Sequence, residues 1–97
     1  MDFEWDESKN KTNISERNLD FADAYQIFDA PMLVRIDNRK DYGEERFVGI
    51  GFLKNLVVVI VFTEPNEQTI RVVSLRKALK YEREQFEKYI TNKLGET

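Results

Sequence analysis

One stretch limits the possible folds more than any other: Leu56-Val57-Val58-Val59-Ile60-Val61-Phe62. Seven apolar side chains in a row, most of them β-branched, favour extended backbone. A strand sends alternate side chains to opposite faces, so an all-apolar strand needs cover on both sides. The run is far too short to cross a bilayer. The chain therefore requires a sheet with this strand near its centre and other elements packed on the two faces.

Strand signals lie on either side of it. Residues 32–36 are β-rich. Residues 45–52 alternate, with Val48, Ile50 and Phe52 on one face, while Gly49 and Gly51 leave the other face open for a helix to pack close. Residues 68–74 alternate again. The links Leu53-Lys54-Asn55 and Glu64-Pro65-Asn66-Glu67 suit hairpin turns, and 37–44 reads as a longer polar loop. Upstream, Asp6 is a natural N-cap for a polar helix over 6–17, with Glu7 in its first turn and Ile14 as its aliphatic contact. Phe3, Trp5 and Leu19 flank it. Asp20 caps a second helix through residue 29, with Phe21, Ala24, Tyr25 and Phe28 at helical spacing, and Pro31 ends it. A last helix over 75–92 carries Leu75, Ala78, Leu79, Glu82, Phe86 and either Tyr89 or Ile90 along one side, and residues 92–97 read as a frayed end with Gly95 as terminator. The expectation is an α+β fold in one domain, 1–97: two N-terminal helices, a four-stranded antiparallel meander and a C-terminal helix.

The 97 residues contain no cysteine and no histidine. That excludes a disulfide framework and a thiolate zinc site, and it removes the usual general base and the commonest metal ligand. Chemistry here must run on carboxylate, Tyr, Lys, Arg, Ser or Thr. The opening residues are acidic and carry no apolar leader core, so a cytoplasmic location is expected. The formal net charge is −3, yet residues 1–30 hold eight acids against three bases and residues 68–97 hold four acids against seven bases. A local basic surface in the last third is compatible with an acidic whole.

That surface centres on Ile70–Phe86, where an extended run turns into a helical pattern. Arg71 lies on the strand face opposite Ile70 and Val72. Ser74 is a helix-cap candidate with Arg76 and Lys77 in the first helical turn, followed by Lys80 and Arg83. Cations at a helix N-terminus oppose the macrodipole, and together with free backbone N–H groups they suit an anion. The competing reading is a solvated basic face with pairs such as Lys80–Glu84 and Arg83–Glu87. Arg46 is in phase with Val48 and Ile50, so it either points into a cleft or pairs with Glu44, Glu64 or Glu67. Glu64 stands where the central strand surfaces, as a general-base candidate or a solvated turn residue. Tyr42 and Tyr81 are either base-stacking platforms or ordinary partly buried tyrosines. No glycine-rich phosphate loop, metal-ligand spacing or nucleophile elbow is present.

Taken in order, five segments resemble the BrnT family of ribonuclease toxins: residues 3–14, 19–31, 41–51, 57–64 and 70–84. The most telling are Tyr42-Gly43-Glu44-Glu45-Arg46-Phe47 and Ile70-Arg71-Val72-Val73-Ser74-Leu75-Arg76-Lys77-Ala78. The resemblance implies a compact fold like that of RelE toxins and a metal-independent endoribonuclease, without cofactor, that cleaves RNA and slows translation. It implies a ribbon-helix-helix antitoxin of the BrnA type, operator DNA contacted through that antitoxin, and no membrane. Its polar site maps onto Arg46, Glu64, Arg71 and Arg76 as catalytic residues and Lys77, Ser74, Lys80 and Arg83 as substrate-binding ones. The chain departs from the pattern at Arg17-Asn18-Leu19, where members usually carry Lys-His-Gly, and at Pro65, where a base usually follows the glutamate. The alternative reading is a relative that keeps the fold and the antitoxin contact as a co-repressor without cleaving RNA.

Overall fold

The computed structural model describes residues 1–95. Five strands and three α-helices follow one another as β1 (Asp2–Trp5), α1 (Glu7–Arg17), α2 (Tyr25–Phe28), β2 (Leu33–Ile36), β3 (Phe47–Leu53), β4 (Leu56–Asn66), β5 (Thr69–Lys77) and α3 (Lys80–Leu94). A 3₁₀ turn, Phe21–Asp23, precedes α2. The sheet order is β1-β5-β4-β3-β2, so the apolar run at 56–62 is indeed its central strand. The α+β class stands, with two corrections. The sheet has a fifth strand, β1, which pairs parallel to β5 and makes the sheet mixed. The second N-terminal helix is a 3₁₀ turn followed by a single helical turn, capped as expected by the Asp20 side chain on the Ala22 N–H.

Alternation along β4 separates two unequal layers. Val58, Ile60 and Phe62 face a core with Leu19, Phe21, Ala24, Ile27, Leu53, Ile70, Val72 and Leu75, edged by Phe3, Trp5, Phe28, Met32 and Phe47. Val57, Val59 and Val61 face a smaller cluster with Val48, Ile50, Ala78 and Phe86 under α3. Each fully buried aliphatic or aromatic side chain contributes about 1.5–3 kcal/mol, so the first layer dominates stability. The glycine lane on β3 works as its spacing implies. A Cβ at Gly51 would stand 2.9 Å from Ile27 Cγ2, and one at Gly49 would stand 2.7 Å from Met32 Sδ. The helical segment therefore sits against bare backbone.

Ile14 is largely exposed, and α1 is anchored by polar bonds instead. Buried Asn10 accepts from the Phe21 N–H and donates to Asp20, while buried Asn13 donates to the Leu19 carbonyl and accepts from the Leu75 N–H. These bonds fix the helix to the sheet edge and to the following turn, replacing an apolar stripe by satisfied buried amides. Asp6 caps α1 as expected, accepting from the Ser8 and Lys9 N–H groups, and Asn18 closes the helix with φ 57°.

The largest displacement of an expected boundary is at α3. Leu75, Arg76 and Lys77 continue β5, and the helix begins at Lys80. Gly95 does close α3, and the expectation for residues 96 and 97 lies outside the described residues.

Candidate active site: an arginine-lined open sheet face

The face of the sheet that α3 shares is only half covered. A bulge decides what occupies the open half. On β5 the register runs Val61↔Ser74 and then Phe62↔Val72, leaving Val73 as an extra residue. Arg71 and Arg76 are five apart and would point to opposite faces of a regular strand. The bulge reverses the alternation between them, so that Val72 and Leu75 both enter the main core and both arginines emerge on the open face. Ser74 opens onto the same side.

Around this face the structure gathers Arg46 and Arg71 in one cavity of about 360 Å³, with Glu4, Trp5, Asp6, Lys9, Glu44 and Val73. Arg71 donates to Glu4 through Nη2 at 2.7 Å and Nε at 3.0 Å, an exposed pair made possible by β1. The Glu4 bond holds the Arg71 guanidinium above its usual pKa. Arg46 does point into a cleft. Its guanidinium lies 3.9 Å from the centre of the Tyr42 ring, and it forms none of the expected pairs with Glu44, Glu64 or Glu67 among the described residues. Tyr42 is thus engaged by a cation from the loop's own base. Two buried polar atoms at this end have no protein partner: Arg46 Nε and Thr63 Oγ1, the latter on the residue opposite Arg71 in the β4–β5 register.

Arg76 is held differently. Its two terminal nitrogens donate to the two oxygens of buried Glu82, each at 2.8 Å, and Glu82 Oε1 also accepts from the Leu79 N–H at the start of α3. At the observed start of α3 the backbone N–H of Leu79 is taken by the chain's own Glu82 carboxylate. The bidentate Arg76 bond lowers the Glu82 pKa and raises that of Arg76, against the desolvation that burial imposes on each. Glu82, the odd polar residue of the helical stripe, owes its place to that bond.

Several expected site residues fall elsewhere. Ser74 sits within β5 and caps no helix, because the strand outruns it by three residues. Lys77 follows Arg76 on β5 and so takes the opposite side of the sheet. Lys80 and Arg83 are exposed on the first turns of α3, with Arg83 Nη1 donating to the Ala78 carbonyl at 3.2 Å. Tyr81 is exposed on the same helix. Glu64, one residue past Thr63, borders a separate cavity of about 350 Å³ with Glu44, Glu45, Phe47, Thr63 and Pro65. Three arginines that sequence reasoning left out also reach the open face: Arg17 from the end of α1, Arg35 from β2 and Arg39 from the following loop. Arg35 alternates in phase with Leu33, and that phase is the signal that marks it. Among the described residues no cluster of three or more Asp, Glu, His or Cys is arranged to hold a metal ion, and no helix is long and apolar enough to cross a membrane.

Residues 5–82 match the family described as ribonuclease toxin, BrnT, of type II toxin-antitoxin system. The chain belongs to the BrnT family. The crystal structure of the Brucella abortus ribonuclease toxin BrnT superimposes on it with a TM-score of 0.64 at 28% identity, covering 82% of this chain and 99% of that one. No curated protein matches the chain. Membership of a type II toxin–antitoxin family implies an antitoxin as partner. The family match runs from Trp5, the last residue of β1, to Glu82, and so takes in both the bulged strand and the carboxylate that holds Arg76.

Proposed function

We propose that this BrnT-family chain is a metal-independent endoribonuclease of the cytoplasm that slows translation, with a RelE-like arrangement of its site, and that a BrnA-type ribbon-helix-helix antitoxin neutralises it and carries it to operator DNA. The observation that carries the reading is the bulge that turns Arg71 and Arg76 onto one open face together with Arg46. Cations on a sheet face with an apolar floor grip RNA phosphates and oppose the charge that builds up during cleavage.

The sequence holds no histidine, and in this reading the nucleophile is the RNA's own 2′-hydroxyl with a carboxylate as base. The 2′-oxygen attacks the adjacent phosphorus, the bond from phosphorus to the 5′-oxygen breaks, and the products are a 2′,3′-cyclic phosphate and a 5′-hydroxyl. The 2′-hydroxyl proton passes to the base, and the leaving 5′-oxygen takes a proton from water. Arg46 and Arg71 oppose the extra negative charge of the phosphorane, and Arg76, fixed by Glu82, holds a neighbouring phosphate. Glu64 borders the cavity that also holds Glu44 and Glu45, whereas Glu4 lies 2.7 Å from Arg71 on the cleft side. We assign the base to Glu4 on that geometry, with Glu64 as the competing candidate.

Induced expression of the chain alone, followed by growth and by cleavage of labelled RNA with and without EDTA, tests the reading. Arrest and EDTA-resistant cleavage are expected, both relieved by Arg71→Ala. Glu4→Gln is expected to slow cleavage more than Glu64→Gln does. A folded, abundant protein that leaves growth and RNA intact sinks the nuclease reading and favours the co-repressor alternative.

A further inference from the structure

A second pocket of about 140 Å³ lies on the open face beside the Arg46–Arg71 cavity, lined by Arg17, Arg35, Arg39 and Arg76 with Ser74 and a floor of Val48, Val59 and Val61. Its volume is well below the roughly 300–1,000 Å³ of a small-molecule site, so it suits one anionic group rather than a nucleoside. Two of its arginines are held from behind by buried acids. Arg76 is gripped by Glu82, and Arg39 donates to Asp37 through Nε and Nη2, each at 2.8 Å. Asp37 is itself buried, takes the Arg39 N–H as well, and accepts a long bond from the Tyr42 hydroxyl. The Arg39 bond holds the Asp37 carboxyl far below the usual range.

The other two are uncompensated. Among the described residues neither Arg17 nor Arg35 forms an ion pair, and Arg17 has only a 3.4 Å bond to Asn13. Four guanidinium groups against two carboxylates leave the pocket at a formal +2. The floor is apolar, with Val48 and Val59 buried and Val61 half-buried, while Arg17, Arg35 and Arg39 are exposed, so the attraction for an entering anion is greatest at low salt. Planar guanidinium groups match the paired oxygens of a phosphate, and those of Arg39 and Arg76 are fixed in orientation before the ligand arrives.

We infer that the Arg17–Arg35–Arg39–Arg76 pocket is a second phosphate subsite, which takes the RNA phosphodiester next to the one cleaved, and that Asp37 and Glu82 are positioning residues that aim Arg39 and Arg76 into it. This rests on the ribonuclease reading and extends it. The two cavities border the bulge on β5 through Val73 and Ser74, so a single strand lying across the bulge meets both. The arrangement also accounts for buried acids in an RNA-binding face: they stand behind the arginines, not beside the ligand.

The test is binding of a short single-stranded RNA made uncleavable by 2′-O-methylation, followed by fluorescence anisotropy across a salt series. Arg35 and Arg39 are exposed, so Arg35→Ala and Arg39→Ala are expected to fold, which their melting curves check. Each is expected to weaken binding on the order of tenfold at low salt, and each lost phosphate contact to lower the slope of log K against log salt by about 0.7. Asp37→Asn is expected to weaken binding in the wild-type background and to have no added effect once Arg39 is Ala; a purely structural role would persist in both backgrounds. Unchanged affinity and slope in Arg35→Ala and Arg39→Ala, with Arg71→Ala still impaired, overturns the subsite and leaves the nuclease reading intact. Failure of the wild-type chain to bind RNA at all overturns both. If inorganic phosphate raises the melting temperature of the wild type but not of Arg35→Ala, while both bind RNA equally, the pocket takes free phosphate and the inference fails.

Discussion

The two faces of β4 are made by neighbouring residues of one strand and do opposite work. Val58, Ile60 and Phe62 are fully enclosed by the segment from Leu19 to Met32 and by the adjoining strands. On the other side α3 covers Val57 and Val59, and Val61, only half buried, opens among arginines. One face spends its apolar surface on stability. The other keeps a dry floor and leaves it uncovered, which is costly for folding and useful only if a charged ligand arrives. Ion pairs follow the same division. Arg76–Glu82 is partly buried and bidentate, a fixed part of the frame, whereas Arg71–Glu4 is exposed on both partners and open to solvent.

The sharpest way to break this comparison is a pair of truncations on adjacent residues. Ile60→Ala is expected to cost about 2–5 kcal/mol in urea unfolding, a large part of the total for a domain of this size. Val61→Ala should cost about 1 kcal/mol or less, and equal losses would mean the open face is a core after all. Next, Gly51→Ala should destabilise by roughly 1–3 kcal/mol, because the new Cβ meets the branched Ile27 at 2.9 Å. Gly49→Ala should cost less, since the unbranched Met32 can yield. Glu82→Gln comes third, at about 1–2 kcal/mol given that Arg76 remains partly solvated. Its pH signature is specific. The folded Glu82 pKa is depressed by Arg76, so its contribution is present above the unfolded value near 4.5 and is lost as pH falls through the folded one. Acid melts of the wild type should therefore lose stability faster below that pH than those of Glu82→Gln. Smallest of all, Arg71→Ala should leave the unfolding midpoint within error while abolishing RNA cleavage; a large stability loss would assign Arg71 to the frame.

Much of the frame was legible because it rests on local pattern. The unbroken apolar run gave the central strand, Gly49 and Gly51 marked a close approach, and Asp6 and Asp20 were caps by residue type. What escaped depends on partners distant in sequence. Phe3 and Trp5 alternate with Asp2 and Glu4, but four residues are too few to outweigh the adjacent helix signal, and their partner strand lies more than sixty residues away. Leu75, Ala78, Glu82 and Phe86 fit a helical period so well that the strand's continuation through Lys77 was hidden. Only the sheet, by pairing Val59 with Arg76 and Val58 with Lys77, decides the matter. In the site, Arg46 stood out as a cation in apolar phase and Arg71 and Arg76 as part of a basic cluster, but that Arg71 and Arg76 share a face depends on the bulge at Val73. Arg39 belongs to the pocket through Asp37, an acid that composition would place in solvent, and Arg35 through its phase on β2.

The parallel pairing of β1 with β5 also sets a clock. Glu4 and Arg71 are 67 residues apart, and neither the β1 edge nor the Arg46–Arg71 cavity it borders can close before β5 has been synthesised. At about 5–20 residues per second, the first strand waits several seconds for its partner. Through that interval β1 remains an unpaired edge, open to any competing strand. The Arg46–Arg71 cleft is thus among the last features of the fold to be completed.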